Sequence, residues 1–442
     1  MRVRSKSVAV AVPTSWNFAK LAKVKEELVA ALPSLDPNRV TCLDVMTAAA
    51  VEFVDGWYSN MYDTNAMQLV LVNIEAKSLQ VALVNIAPNT VDTVLVMSTF
   101  DCGDDLLLAE ATALLASKIQ EQVKLSYQFD TDNWWPEGQG VLQAEARRMV
   151  SEVGSKGECF MPATYHPPGK DAAMTVDVRV SATELQAGEG RGGFGAAMML
   201  VQGLMQAAGK LDAEAGIVRQ EGPINIAPVG GSSCGEVICR AMIPLLGTSK
   251  DHLHMFLRDP RNLAAGAARA ALWLDEEKEA ASGTKGGTGK VGSPKSPGRE
   301  PRKVVRRCHL PYGCAVVHTT DDEGLGMIEI PWICAGRELP VHCTVNDLEQ
   351  SEHKFVVFVG GPRESRDILA TLPLSDCNEV RITIDQDGMM QAKRFQKEQP
   401  LEAKVEMSPV KKEEELLRAQ SDEQQTTKAV VFEVLRPIFE AT

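Results

Sequence analysis

The spacing of apolar residues predicts alternating strands and helices at the start of the chain. Ser7–Val12 is a short apolar run that ends at Pro13, which is typical of a strand. Ala19–Leu32 carries apolar residues near helical spacing, and a second short strand is predicted within Asn38–Met46. Alternation of this kind is typical of an α/β domain, in which helices pack against a sheet.

The same alternation continues to about residue 274. Two strands are predicted in Leu69–Ile86 and one in Val91–Val96, before a long helix that begins at Asp104. The later helices and strands are predicted in the segments Gln143–Val153, Ala173–Gln186, Ala197–Ala208, Ile224–Leu246 and Asp259–Leu274. The last of these is a helix of small residues, so we expect it to pack closely against a neighbour.

The composition changes abruptly after this helix. Asp275–Lys303 is rich in Gly, Ser, Pro and Lys and cannot bury enough apolar surface to offset the entropy of ordering. It is therefore predicted to be a flexible linker.

Beyond the linker the apolar pattern changes to a period of two, which predicts an all-β module of about 100 residues. Its strands are predicted within Gly326–Cys334, Leu339–Asp347, His353–Gly361, Ile368–Asp376 and Asn378–Phe395. The remaining charged stretch, which is interrupted at Pro437, is predicted to be helical.

Charge and cysteine usage narrow the range of functions. The net charge of −13 argues against nonspecific binding to nucleic acid or to a membrane surface, and no apolar run reaches the length of about 18 residues that a membrane helix needs. The ten cysteines have no zinc-ligand spacing, which predicts small buried thiols in a reducing compartment, the cytoplasm. The seven histidines also lack metal-ligand spacing, so we expect solvated histidines and no metal site.

Several of these segments, in this order, resemble one protein family. A strand that ends in Val12-Pro13 is followed by a helix, a strand and a Thr47-Ala-Ala-Ala turn. Ile224–Leu246 has a strand, a Gly-Gly turn and a helix, and the small-residue helix and the β module follow. This order is similar to that of the seventy-kilodalton heat-shock chaperones over about Val8 to Phe395, apart from the linker.

The resemblance implies the fold class and the domains. The expected fold is an α/β actin-like (ribonuclease-H-like) nucleotide-binding domain, incomplete, followed by an all-β sandwich peptide-binding domain and a short helical tail. The expected boundaries are 1–274 for the nucleotide-binding domain, 275–303 for a disordered linker, 304–400 for the β-sandwich and 401–442 for a helical tail that corresponds to a vestigial lid.

The resemblance also implies a degenerate nucleotide site. The family's Asp-Leu-Gly-Gly-Gly-Thr phosphate turn matches the residues from Asn73 to Ser78, where Glu75 replaces a glycine and would repel phosphate. Lys77 could compensate only partly, because a lysine is a mobile point charge. The site implied by the resemblance consists of Pro13, Asn73, Lys77, Ser78, Gly230, Gly231 and Ser232.

Other family residues are also replaced in this chain. A family glutamate matches Val45, the purine-contacting positions match Arg147 and Val150, the arginine that stacks on the base matches Cys234, and a glycine matches Asp104. The family's first phosphate hairpin and catalytic lysine would precede Met1. Efficient hydrolysis needs phosphate, metal and water held together, so we expect at most weak binding of ATP or ADP with Mg and no catalytic residue.

The β module retains more of the family pattern. By position, the family's apolar peptide pocket would be lined by Val316, Val345, Phe355 and Val357. Alternating apolar residues are also what the core of a sandwich requires, so this pattern alone does not separate a pocket from a core.

Three hypotheses follow from the sequence. The first is a divergent heat-shock-type chaperone that binds extended apolar peptide or unfolded protein, with degenerate ATP binding and hydrolysis. The second is a non-catalytic scaffold or assembly subunit that reuses the chaperone fold. The third is that the whole protein is longer at its N-terminus. We also expect a protein partner to cover the N-terminal lobe, and we expect Val304–Arg307 to be a poor coupling element beside a flexible insert.

Overall fold

The structure of the chain is a computed structural model. It describes residues 8–14, 16–31, 37–57, 66–87, 89–100, 102–127, 139–165, 174–186, 192–215, 224–281, 302–309, 312–318, 328–333, 337–346, 353–359, 367–374, 377–385, 388–396, 399–401 and 406–407. These residues form a mixed α/β structure with several sheets, and no helix among them is long and apolar enough to cross a membrane.

Eight α-helices and eighteen strands are defined in the described ranges. In chain order they are β1 (Val8–Val12), α1 (Phe18–Ala31), β2 (Val40–Asp44), α2 (Val45–Glu52), β3 (Met67–Ile74), β4 (Ser78–Ala87), β5 (Thr90–Phe100), α3 (Asp104–Tyr127), α4 (Gln139–Lys156), β6 (Glu158–Tyr165), β7 (Met174–Ser181), α5 (Ala182–Gln186), α6 (Gly193–Ala215), β8 (Ile224–Val229), α7 (Gly235–Leu246), α8 (Pro260–Ala281), β9 (Lys303–Val305), β10 (Tyr312–His318), β11 (Ile328–Ile333), β12 (Val341–Asn346), β13 (His353–Val359), β14 (Asp367–Pro373), β15 (Glu379–Ile384), β16 (Met390–Gln396), β17 (Gln399–Leu401) and β18 (Glu406–Met407).

The chain divides into two compact units, neither of which is continuous in sequence. Unit 1 is drawn from Met1–Asp63, Ala87–Leu95 and Ala264–Thr442, and unit 2 is drawn from Thr64–Ile86 and Val96–Leu263. The expected domain of residues 1–274 therefore spans both units, and its N-terminal strands and helices group with the strands of the β module.

Unit 2 is built around the hairpin of β3 and β4. These strands pair antiparallel, and β8 pairs in parallel with β3. Helix α7 packs close to β8, since a Cβ placed on Gly235 would lie 3.1 Å from the Cβ of Pro228. At the start of α6 the Glu110 carboxylate accepts a hydrogen bond of 2.6 Å from the Gly193 backbone N–H. Glu110 therefore caps the glycine-rich start of this helix.

The N-terminal part of unit 1 is a small βαβα arrangement. Strands β1 and β2 pair in parallel, so that Val12 lies beside Asp44 at their carboxyl ends. Asp44 caps α2 by accepting a hydrogen bond of 2.8 Å from the Thr47 backbone N–H. The residues of α2 after Val45 are buried, and the expected close packing of the small-residue helix is confirmed, because Gly266 of α8 lies directly against α2.

The rest of unit 1 contains the two-sheet module, defined here as β10 to β18. One sheet has the order β11-β10-β13-β14-β18 and the other has the order β12-β15-β16-β17, and the strand pairings within each are antiparallel. Apolar side chains from both sheets form one buried cluster, which Phe18 of α1 joins through its contact with Tyr312 at a ring-centroid distance of 6.1 Å. Helix α1 is thus part of the core of this module.

Most predicted elements are confirmed, and some boundaries differ. Strand β6 was not predicted, since its eight residues alternate poorly and include Pro162. Helix α8 continues to Ala281, seven residues into the segment expected to be a linker, and residues 282–301 lie outside the described residues. At the start of the expected helical tail, Leu401 ends the short strand Gln399–Leu401 and Glu406–Met407 is another short strand, and residues 408–442 lie outside the described residues.

Gly266 provides a test of the packing between α8 and α2. A Cβ at this position would collide with the Ala48 carbonyl oxygen and would lie 3.0 Å from the Cβ of Glu52. Helix propensity alone predicts that Gly266→Ala stabilises the chain by about 1 kcal/mol. We expect the collision to dominate and to lower the free energy of unfolding by about 2 kcal/mol, measured by urea denaturation. Ala268→Leu, at an exposed position of the same helix, is the control and should change stability little.

His254 provides a test of the pH dependence of unit 2. Burial, and to a smaller extent His252, lowers the pKa of the His254 imidazole to about 4, and its Nε2 lies 2.8 Å from the Asn225 Oδ1. As the pH falls below about 6.5, the imidazole takes up a proton in the unfolded chain but stays neutral in the folded chain until about pH 4. The contribution of His254 to stability is therefore fully present above pH 6.5 and is lost as the pH falls towards 4.

The variant His254→Gln cannot titrate and should flatten this part of the profile in thermal unfolding between pH 4 and 6.5. His342→Gln, at an exposed histidine of β12, should leave the profile unchanged. An equally steep profile in His254→Gln would show that other groups produce the pH dependence.

Candidate functional site

The candidate nucleotide site is built on the turn between β3 and β4. Glu75, where the resemblance implies a glycine, has its carboxylate held inside the turn. It accepts hydrogen bonds from Asn73 Nδ2 at 3.3 Å and from Ser78 Oγ at 2.9 Å, and both of these partners are buried. Two side chains expected near phosphate therefore already bind a carboxylate of the same turn.

The start of α3 closes the turn from the other side. The backbone N–H groups of Asp104 and Asp105 donate to the carbonyl oxygens of Glu75 and Ala76 at 2.8 and 3.0 Å. A Cβ on Gly103 would lie 2.5 Å from the Lys77 backbone nitrogen, so only glycine permits this approach. Free N–H groups at a helix start would attract phosphate, but these two are engaged by the turn itself.

The second predicted phosphate turn follows β8. Gly230 has a positive φ of 78°, and a Cβ there would lie 3.6 Å from Asn73 Oδ1, so this turn lies beside the first. Ser232 Oγ donates to Asp104 Oδ1 at 2.5 Å and accepts from the Cys234 backbone N–H. The structure thus brings Asn73, Ser78, Gly230 and Ser232 together in unit 2, with Lys77 and Gly231 exposed at the same turns.

The charges around these turns are unfavourable for phosphate. Glu75 and Asp104 both point carboxylates into the cluster. Arg258, a cation beside the second turn, donates to the Ser232 carbonyl at 3.3 Å and lies 3.7 Å from the Glu236 carboxylate. Glu236 also pairs with Arg240 at 3.1 Å, so both guanidinium groups are engaged by a carboxylate of α7.

Gln80 is a residue of this region that the sequence reasoning missed. It lies opposite Asn73 in the register of β3 and β4, and its side chain is fully buried. Neither its Oε1 nor its Nε2 has a hydrogen-bond partner among the described residues. A buried amide in an otherwise apolar strand, between Leu79 and Val81, is the signal that could have drawn attention to it.

The other positions that the resemblance implied for a nucleotide site are dispersed. Val150 is buried and Arg147 is exposed on α4, while Cys234 is fully buried, with its thiol pKa raised by burial and by Asp104. Val45 is half-buried at the start of α2 in unit 1. Pro13, which was expected at the nucleotide site, also belongs to unit 1.

The four residues of the expected peptide pocket lie together in the two-sheet module. Val316 and Phe355 face each other in the register of β10 and β13, and Val345 lies on β12 in the other sheet. These three residues and Val357, the fourth, belong to the buried cluster between the sheets and are at most 8% exposed. In the described residues their side chains are thus part of the module's core.

The segment that follows the linker, Val304–Arg307, is held by specific contacts within unit 1. Val304 and Val305 are buried in β9, which pairs in parallel with β5. Arg307 binds the Asp92 carboxylate through two hydrogen bonds of 2.6 and 2.7 Å, and Arg306 donates to the Cys42 carbonyl at 2.7 Å. Both arginine side chains of this segment therefore make specific contacts, while its role in coupling stays a prediction.

The histidines and cysteines can also be compared with expectation. The expectation of solvated histidines is wrong for His254, which is buried, and for His309, whose side chain is 9% exposed beside Asp44. The expected buried thiols are confirmed for eight of the nine described cysteines, and Cys343 is half-buried. No group of three or more His, Cys, Asp or Glu side chains that could hold a metal ion is found in the described ranges.

Comparisons with known proteins add no family assignment. No family model matches the chain, and a comparison with curated proteins gives no match.

The carboxylate of Glu75 provides a test of the closed turn. In Glu75→Ala the Asn73 amide and the Ser78 hydroxyl lose a charged acceptor while both remain buried, so we expect the free energy of unfolding to fall by about 2 kcal/mol in urea denaturation. Lys77→Ala, two residues further along the same turn at an exposed position, should change stability by less than about 0.5 kcal/mol. Equal effects of the two substitutions would mean that the carboxylate does not hold the turn.

Proposed function

We propose that the chain is a divergent relative of the seventy-kilodalton heat-shock chaperones that binds extended apolar peptide and does not hydrolyse ATP efficiently. In this proposal unit 2 and the N-terminal part of unit 1 derive from an incomplete actin-like domain, and the two-sheet module corresponds to the peptide-binding sandwich. The observation that carries the proposal is the two-sheet module itself, in which two antiparallel sheets enclose one apolar cluster that contains all four expected pocket residues.

The loss of hydrolysis is supported by the closed turn between β3 and β4. Phosphate binding by a glycine turn requires backbone N–H groups that point at the ligand, and here the N–H groups of Asp104 and Asp105 bind the turn's own carbonyls. Asn73 and Gln80 carry amides, which lack the negative charge that a Mg²⁺ ligand usually supplies. Any binding of ATP or ADP with Mg would therefore be weak.

Peptide binding is supported by the chemistry of the module. An extended peptide binds by main-chain hydrogen bonds to a strand and by pockets for alternate side chains. The module contains antiparallel strands and one apolar cluster between its two sheets. Phe355 is the largest of the four expected pocket side chains and is fully buried. A bound peptide would reach it only if neighbouring segments separate, so we propose that binding is coupled to opening of the module.

A second candidate function is favoured by this same burial. If the four side chains serve only as core, the chain is a scaffold or assembly subunit that keeps the fold and binds a folded partner. Val8 to Ala11 of β1 remain half-buried, which is compatible with such a partner. None of the nine described cysteines forms a disulfide, so we place either protein in a reducing compartment such as the cytoplasm.

Titration with a fluorescent apolar heptapeptide separates the two candidates. Phe355→Leu changes the apolar cluster between the sheets, whereas Phe358→Leu makes the same change on the other face of β13, outside that cluster. Both positions are buried, so we expect similar losses of stability, of about 1 kcal/mol.

The chaperone proposal expects saturable binding that Phe355→Leu weakens severalfold and Phe358→Leu leaves unchanged. A heptapeptide whose apolar residues are replaced by serine is the ligand control and should not bind. Absence of saturable binding to the unmodified chain would favour the scaffold.

A further inference from the structure

Helix α1 contributes one side chain to the apolar cluster of the two-sheet module. Phe18, its first residue, is 2% exposed and belongs to the cluster that also holds the four expected pocket residues. Its ring centroid lies 6.1 Å from that of Tyr312, the first residue of β10. The Phe18 backbone N–H also donates to the Tyr312 hydroxyl, because the first N–H groups of a helix have no partner within the helix.

The contact with Tyr312 leads along β10 to the expected pocket. Tyr312, Cys314 and Val316 are alternate residues of this strand, and all three belong to the cluster, so they share its inner face. Val316 lies opposite Phe355 of β13. Phe18 therefore covers one end of the row of apolar side chains that includes the expected pocket.

Apart from Phe18, α1 buries little apolar surface. Among the side chains of α1 that the structure describes, Phe18 alone is buried, and the others are half-buried or exposed. Leu21 lies beside the turn between β15 and β16, since a Cβ on Gly388 would be 3.5 Å from Leu21 Cδ1. An element with so few buried apolar contacts opens more readily than the core of its domain.

The contact between α1 and the module is also incompletely packed. A cavity of about 80 Å³ lies beside the start of α1. Its lining includes Trp16 and Leu21 and, from the module, Leu339, Ile384 and Gly388. Side chains that line a cavity lack the dispersion contacts that a filled space would give, so this contact is weaker than that of a close-packed interior.

We propose that α1 is an intramolecular cover of the peptide site, in which Phe18 occupies the end of the apolar cluster and must leave before an extended apolar peptide binds. A side chain of the peptide then takes the place of Phe18. This inference rests on the proposed peptide-binding function and names the element whose movement opens the module. A closed cover lowers the apparent affinity for peptide by the fraction of molecules in which the site is accessible.

Peptide titration of the unmodified full chain and of the full chain with Phe18→Ala tests the cover. The unmodified chain has to release Phe18 before the fluorescent apolar heptapeptide binds, so we expect Phe18→Ala to bind it about tenfold more tightly. If Phe18 were only part of the core, its truncation would loosen the module and weaken binding.

Leu21→Ala and Leu28→Ala are a matched pair of variants. Both leucines are half-buried on α1, about two turns apart, and of the two Leu21 lines the cavity. We expect Leu21→Ala to tighten peptide binding severalfold and Leu28→Ala to leave it unchanged. Both variants keep Phe18 and the apolar cluster, so this pair decides the question if Phe18→Ala fails to fold.

Hydrogen exchange measured by mass spectrometry gives a second readout on the unmodified chain. Saturating peptide should speed exchange of the backbone amides in Phe18–Ala31, because the released helix loses its packing. A ligand that binds without moving α1 would not speed exchange in this helix.

The possible failures separate this inference from the peptide-binding proposal. Saturable binding by the unmodified chain, with equal or weaker binding by Phe18→Ala, would overturn the cover and leave the peptide-binding proposal standing. Absence of saturable binding by both chains would overturn both. Unchanged or slower exchange in α1 on peptide binding would mean that the helix stays in place, which also overturns the cover.

Discussion

The bidentate ion pair between Arg307 and Asp92 is the interaction on which unit 1 depends. The two side chains are 14% and 17% exposed, so each charge needs the other, and loss of one partner would cost about 3 kcal/mol. The pair fixes the residues after β9 onto β5, and from there Arg306 reaches the Cys42 carbonyl and His309 reaches Asp44. Arg306 to His309 also line the space at the carboxyl ends of β1 and β2.

Unit 2 is organised by a different constraint, the contact of the α3 start with the turn after β3. Glu75 satisfies Asn73 and Ser78, and the first N–H groups of α3 satisfy the turn's carbonyls. The backbone N–H groups and polar side chains that a phosphate turn would present to a ligand therefore form hydrogen bonds within the protein. These groups need no nucleotide to be satisfied, which supports the proposal that peptide or partner binding, and not hydrolysis, is the remaining function.

Local sequence patterns predicted the elements well and the long-range contacts poorly. The hairpin of β3 and β4 and the close packing of α8 follow from apolar spacing and small residues, which are local properties. The pairing of Arg307 with Asp92 joins residues 215 positions apart, so nothing near either residue in the sequence indicates it. Likewise, the burial of His309 depends on Asp44 at the end of a distant strand, and the apolar alternation around Phe355 could not separate a pocket from a core.

Isothermal calorimetry of the purified chain with ATP plus magnesium, and with ADP, tests the central claim most directly. A closed turn that carries Glu75 and uses its own helix N–H groups predicts no heat of binding up to millimolar nucleotide. Binding at micromolar affinity would contradict the account, because the turns at Lys77 and Gly230 would then form a working phosphate site and the chain would have to be regarded as an ATP-regulated chaperone.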